Sequence, residues 1–354
     1  FIRPCLAVAR NDPRYPNMFS RLDKFYLTPA EDYKCPLSAE TQQIAANELR
    51  ETENSRSQAL DGLRNWVEQN PKFMAMRMDS SYLLRFLRAK KFSVPMAQEA
   101  IERYILLRQS WGIAFNQLDF KLPTMLKLID LGFVFVSPFK DKCGRRVVVY
   151  RPGVFDPYKY TNQDMCRVMG ICYETLLEDE ETQVRGLVHF ADGQGVNFGH
   201  MTLFTPKEAV RIVKNGERTL PLRHKEIYGI NVHPTVKFAL DFGMGLISDK
   251  IRKRVNISGA LENSEIDKSL LPQEYGGSMP MKEMIELWKV ELAAKRDILL
   301  LNDRMGVRLE MYSEAAREGA ISALKTGAIS CAGPDAVGDA MRGLTGNFRK
   351  LEVD

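Results

Sequence analysis

The alternation of oily and polar positions changes character along the chain. From residue 38 to about residue 111, apolar side chains recur every three or four positions, the spacing of one helix face. Ser38 opens a polar helix to about Asn54, and Gln58–Gln69 forms another with Leu60, Leu63 and Val67 on one side. Pro71 breaks it. Asp79, Ser80 and Ser81 start a third helix at Tyr82–Lys91, and a fourth from Pro95 to Trp111 carries Ala97, Ile101, Tyr104 and Ile105. Arg85 and Arg88 are expected to be solvated helix charges.

From Gly132 the period shortens. Arg146–Tyr150, Leu187–Ala191, Ile227–Val232 and Val255–Ile257 are short runs rich in Val, Ile and aromatics, which predict buried strands. Between them lie a helix from about Asn162 to Glu178, ending in the acidic cluster Glu178 to Glu181, and one opened by the capping box Thr205-Pro206-Lys207-Glu208. Strands alternating with helices predict an α/β domain with a largely parallel sheet. Pro280 to Leu301 reads as a final helix. The tail beyond it is rich in Gly and Ala, and roughly its last thirty residues are expected to be mobile.

One stretch departs from both patterns. Pro234 suits a first helical position, and Val236, Phe238, Leu240, Phe242, Met244, Leu246 and Ile247 make the following helix oily around most of its girth. Only His233, Lys237 and Asp241 form a polar stripe. Gly243 and Gly245 each cost about 1 kcal/mol against Ala in a helix interior, so the segment is built to loosen. Lys250, Arg252, Lys253 and Arg254 follow at once. Buried core is the plain reading of so oily a helix; a movable flap over an apolar cavity, beside a surface for anionic lipid, is the other.

Charge sharpens the second reading. The 354 residues are 45% apolar and 27% charged, ordinary for a globular protein, with net charge +5. Between Phe204 and Arg254, eleven Lys and Arg face five acids, so the basic excess is local, as on a binding face. Six cysteines form no CxxC pair, which predicts free thiols in a reducing compartment. No apolar run approaches the ~18 residues of a membrane span. The oily part of the first ten residues is short for a signal peptide, and Met18 could be a start; a cytoplasmic protein is expected.

Catalytic signatures are missing. Gly193-Gln194-Gly195-Val196-Asn197-Phe198 starts like a dinucleotide fingerprint but lacks its third glycine, and no nucleophile elbow or zinc motif occurs. The four histidines have no metal-ligand spacing. No catalytic residue, metal or cofactor is expected, nor nucleic acid, since no aromatic series interleaves the cations.

Three motifs in order, Tyr82-Leu83-Leu84-Arg85-Phe86-Leu87-Arg88-Ala89-Lys90-Lys91-Phe92, Ile230-Asn231-Val232-His233-Pro234 and Leu271-Pro272-Gln273-Glu274-Tyr275-Gly276-Gly277, make the chain resemble the CRAL-TRIO lipid-transfer proteins. The branch most like it holds α-tocopherol transfer protein, cellular retinaldehyde-binding protein and the clavesins. The resemblance implies an all-helical N-terminal module (38–115) packed on an α/β sandwich (120–280) with a lipid cavity, then a C-terminal helix (281–305). Residues 1–37 would be a poorly ordered extension and 306–354 a tail. The oily helix would be a mobile gate, its apolar face over the cavity.

It further implies phosphoinositide contact, of the phosphatidylinositol bisphosphate kind, at Lys90, Arg223, Lys250 and Arg254. Pocket positions would be Cys166, Met169, Tyr173, Leu187, His189, Ala191 and Ile212. Leu222 stands where a phosphatidylinositol-carrying branch has a glutamate, which favours a tocopherol-, retinoid- or carotenoid-like cargo. His189 shares a sheet face with Leu187 and Ala191, where it could bond a ligand's polar end or pair with protein. The implied protein is a monomeric, non-enzymatic carrier that visits endosomal or plasma membranes. The alternatives are a clavesin-type trafficking adaptor and an enzyme on a small hydrophobic substrate.

Overall fold

The computed structural model describes residues 25–111 and 115–319. Strand β1 (Phe25–Thr28) comes first, followed by helix α1 (Ala39–Leu49), which starts where Ser38 accepts from the Thr41 amide. The helix stops short of Asn54. Arg50 turns left-handed at φ 65°, and Thr52 with Ser55 forms a new capping box that opens α2 (Glu53–Gln69). Strand β2 (Phe73–Arg77) leads to Asp79, whose carboxylate caps α3 (Ser80–Ala89); α4 (Val94–Trp111) completes the helical set.

The second unit runs α5 (Pro123–Asp130), β3 (Val134–Lys140), β4 (Arg146–Tyr150), α6 (Asn162–Leu177), α7 (Glu180–Arg185), β5 (Leu187–Asp192), α8 (Phe198–Met201), α9 (Pro206–Thr219) and β6 (His224–Ile230). Then follow α10 (Pro234–Leu246), α11 (Asp249–Arg252), β7 (Val255–Ile257) and α12 (Met281–Leu301). Its sheet has the order β3-β4-β5-β6-β7, antiparallel between β3 and β4 and parallel from β4 to β7. The architecture is α/β with a mostly parallel sheet.

Among the described residues two large hydrophobic cores form, with a small third cluster of Leu37, Ala45, Leu49 and Val184. One is built on the sheet with α5, α6 and α12; the other joins α2, α3 and α4 to Leu27, Val307, Tyr312 and Ala316. The second corrects the expected chain ends. A small sheet pairs β1 with β2 and β2 with β8 (Gly306–Val307), so residues 25–28 and 306–307 are strands and not an ordinary extension and tail. Short strands with no alternation of their own become visible only when a distant segment supplies their ladder. The rest of the Gly/Ala-rich tail, from 320, and residues 1–24 lie outside the described residues.

Arg85 and Arg88 are corrected too. They are 1% and 0% exposed. Arg85 reaches Glu174 (3.3 Å) and Glu178 (2.7 Å), and Arg88 reaches Glu51 and Glu180, each at 2.8 Å. Arg77 joins them on Glu178 (2.7 Å) and Asp79 (2.9 Å). The acidic cluster after α6 is thus the counter-charge of the α3 arginines, and it welds the two units. Burial would raise Glu178, but the adjoining charges of Arg85 and Arg77 prevail and hold its carboxyl at about 2.

Candidate functional site

The four cations singled out by resemblance come from three places in the fold and meet on one face. Lys90 ends α3, where its ammonium donates to the Arg218 carbonyl at 2.9 Å. Arg223 precedes β6, Lys250 lies in α11, and Arg254 follows it, donating to the His224 carbonyl. Burial lowers the pKa of Lys90, with Arg218 and Lys250 adding to the effect. Burial also lowers Lys250, followed by repulsion from Arg254, Lys91, Arg223 and Lys225. Burial thus comes first for both lysines, and the neighbouring cations add to it.

Lys91, Lys225 and Arg218 belong to the same face, and sequence reasoning passed over them. The signal for Lys225 was present: it sits two residues from Arg223 on one strand. One acid serves the pair. Glu48, at the end of α1, bonds Arg223 at 2.5 Å and Lys225 at 2.7 Å. Arg223 also donates to the Val184 carbonyl, which fixes its position.

The oily helix α10 borders this face and packs against α8 and α9. Asn231, left-handed at φ 54°, bends the chain ahead of it, and its amide donates to Asp192 at 2.9 Å. Tyr275, from the closing sequence motif, donates to the other Asp192 oxygen at 2.6 Å. That motif must fold tightly, since a Cβ on Gly277 would lie 1.7 Å from the Leu271 carbonyl oxygen. Arg252 serves the far end of α10 by donating to the carbonyls of Met244 (3.0 Å) and Ile247 (3.3 Å).

The gate positions divide. Leu240, Met244, Leu246 and Ile247 are half-buried, while Phe238 is 81% and Phe242 41% exposed. Phe238 and Phe242, four residues apart, share an outer face, so the apolar face expected over the cavity does not include them. The Val236 side chain lies outside the described residues. A Cβ on Gly243 or Gly245 would meet nothing within 4 Å, so packing does not demand either glycine.

A cleft of about 310 Å³ opens between the α6 and α9 helices, lined by Ser110, Asn162, Gln163, Cys166, Phe204, Glu208, Arg211 and Ile212. Cys166 and Ile212, from the expected pocket set, stand in it. Met169 and Tyr173 continue the Cys166 face of α6 inwards, both half-buried. Tyr173 meets His189 edge-on at 6.1 Å. On β5, Leu187 is fully buried and Ala191 half-buried. Burial pushes the Cys166 thiol up to about 11, which leaves it protonated and a poor nucleophile at neutral pH.

Among the described residues no His, Cys, Asp and Glu group could hold a metal ion, and no helix is long and apolar enough to cross a membrane. The Gly193–Phe198 segment makes a turn against residues 152–154, where the Gln194 carbonyl would lie 1.9 Å from a Cβ on Gly153.

The CRAL/TRIO domain family matches residues 131–277. The chain is 31% identical over 269 residues to alpha-tocopherol transfer protein-like of Homo sapiens, covering 75% of this chain and 78% of that one. It is 28% identical over 251 residues to clavesin-2 of Homo sapiens, covering 70% and 77%. Among solved structures, the crystal structure of Sfh5 aligns at 12% identity with a TM-score of 0.39, over 70% of this chain and 89% of that one.

Proposed function

The chain belongs to the CRAL/TRIO family, and from that premise we propose that it binds a small hydrophobic lipid and carries it between membranes, docking through the basic face onto phosphoinositide-bearing leaflets. The observation that carries this reading is the convergence of Lys90, Arg223, Lys250 and Arg254, with Lys91 and Lys225, on one face beside α10, where Glu48 clamps only Arg223 and Lys225. A phosphomonoester can take the place of Glu48 and bring more charge than one carboxylate. The similarity to a protein named for tocopherol transfer supports the carrier reading.

The energetics suit a shuttle. A cargo with about 500 Å² of apolar surface gains on the order of 12 kcal/mol on leaving water, at about 25 cal/mol per Å². It therefore does not cross an aqueous compartment unaided. Cations at an anionic leaflet contribute about 1 kcal/mol each, so four give about 4 kcal/mol, enough for visits and too little for anchoring. The exposed Phe238 and Phe242 add apolar surface at the edge of the docking face. Docking there would displace α10, whose half-buried side chains face the interior, and open the cavity. The protein acts as a peripheral, monomeric, non-enzymatic carrier in the cytoplasm.

The test is transfer of a fluorescent tocopherol between vesicles. Reversing all four cations (Lys90→Glu, Arg223→Glu, Lys250→Glu, Arg254→Glu) is expected to abolish transfer to acceptors containing phosphatidylinositol bisphosphate while the loaded lipid stays bound. Undiminished transfer sinks the docking mechanism. Headgroup-selective vesicle binding by a protein that takes up no lipid would favour an adaptor of the clavesin kind.

A further inference from the structure

The start of β6 pairs with β5 irregularly: Leu187 stands opposite His224, Val188 opposite Glu226 and His189 opposite Ile227. Lys225 is the extra residue. Side chains directly opposite on neighbouring strands point to the same side, so His224 and Ile227 both take the face that Leu187 and His189 share. Three residues apart, they would fall on opposite faces of a regular strand. The bulge resets the phase.

The consequence is a pair of imidazoles. Nδ1 of His224 lies 2.8 Å from Nε2 of His189, which is only 4% exposed. Two tyrosines complete the group. Tyr150 stacks on His189 at 5.9 Å, Tyr173 stands edge-on to both imidazoles, and the Tyr150 hydroxyl donates to that of Tyr173 at 2.5 Å. Among the described residues, no protein group hydrogen-bonds Nδ1 of His189 or Nε2 of His224.

Burial holds both rings neutral: His189 falls well below the usual histidine range, and His224, with the charge of Arg254 adding to burial, falls to about 4. Two neutral imidazoles sharing one bond leave one donor and one acceptor on their outer nitrogens. Which ring offers which depends on the tautomer, and the two forms interchange by moving protons along the pair. Such a pair meets a hydroxyl or a carbonyl equally well. The two rings themselves carry no counter-charge for a carboxylate, whose burial without one is costly, and the Arg254 guanidinium is engaged on the His224 backbone carbonyl. Tyr173 lies on α6 seven residues beyond Cys166 of the cleft, about 10 Å at 1.5 Å per residue.

We propose that the His189–His224 pair, walled by Tyr150 and Tyr173, is the polar anchor of the cavity and selects neutral lipids ending in a hydroxyl or carbonyl over their hydrocarbon and carboxylate counterparts. This rests on the carrier reading above. It also gives three consecutive residues at the start of β6 two jobs: Arg223, just ahead of the strand, and Lys225 serve the basic face, and His224 between them serves the cargo.

The experiment uses two matched probe series on delipidated full-length protein: retinol, retinaldehyde, retinoic acid and the retinoid hydrocarbon lacking the terminal oxygen; then octadecanol, octadecanal, stearate and octadecane. Affinities are read by native mass spectrometry. In the wild type, the alcohol and aldehyde of whichever series enters are expected to bind about tenfold more tightly than their hydrocarbon. His224→Phe and His189→Phe should erase that preference, with His224→Gln restoring part of it.

Preference that survives both variants overturns the anchor, as does equal wild-type binding of all head groups, and either leaves the carrier reading standing. A wild type that binds neither series overturns the carrier reading and the anchor with it. Imidazole ¹⁵N spectra of the wild type, with and without retinol or octadecanol, keep the test sharp if a variant fails to fold. Both rings should shift and remain neutral on loading; unmoved resonances with lipid bound overturn the proposal.

Discussion

Arg88 and Lys90 are two residues apart on α3 and belong to two different kinds of charged region. Arg88 sits at the seam between the units, where Arg77, Arg85 and Arg88 meet five carboxylates: Asp79, Glu178, Glu174, Glu51 and Glu180. Lys90 looks onto the basic face, where Lys91, Arg223, Lys225, Lys250 and Arg254 gather and Glu48 clamps Arg223 and Lys225. At the seam the charges are paired and enclosed, so they hold structure. On the basic face the pairing is incomplete and water reaches the site, so the unbalanced charge is available to a ligand. The type of residue does not separate the two regions. Their counter-ions do.

The largest expected effect breaks the seam. Arg88→Ala leaves Glu51 and Glu180 without their guanidinium, and losing one partner of a buried pair costs about 3–5 kcal/mol. The urea midpoint should fall accordingly, whereas Lys225→Ala, which removes a partly exposed cation, should cost under about 1 kcal/mol. Equal losses in the two variants would erase the distinction between the regions.

Acid offers the next test. Glu178 is held at about 2 in the folded protein, against about 4.3 for an unperturbed glutamate. A depressed carboxyl contributes stability that is present above its unfolded pKa and lost as pH falls through its folded one. The seam should therefore weaken between about pH 4 and pH 2, by on the order of 3 kcal/mol from this group. Stability measured by urea across that window should drop in the wild type. An Arg85→Met variant should lose much of the dependence; a dependence identical to wild type would remove Glu178 as its source.

The smallest effect concerns the basic face. Glu48→Gln removes the acid that competes with a phosphate while keeping its shape. Binding to vesicles containing phosphatidylinositol bisphosphate should strengthen about fivefold, with a steeper dependence on salt, and the urea midpoint should barely move. Weaker binding would mean that Glu48 positions Arg223 and Lys225 and does not compete for them.

Much of the fold was legible in the sequence because it depends on near neighbours. The Ser38 cap, the Thr205–Glu208 box, the strand runs at 146–150 and 187–191 and the oily helix after Pro234 were all read within a few residues of where they occur. Part of the site was legible in the same way, since the basic run after α10 is contiguous. The motif resemblance supplied Lys90 and Arg223, which no local pattern singles out.

What the sequence determined by itself, then, is the succession of helices and strands, and the presence of an oily helix with cations at its end. The tertiary structure alone decided that Arg85 and Arg88 are buried, because their carboxylates arrive from Glu51 and from Glu174 to Glu180. It alone decided that Phe238 and Phe242 face outwards, and that a bulge turns His224 towards His189. The physical reason is common to all three. Local periodicity states which side chains share a face, but the free energy of burying a charge or exposing a ring depends on what that face meets, and the chain brings those partners from far along its length.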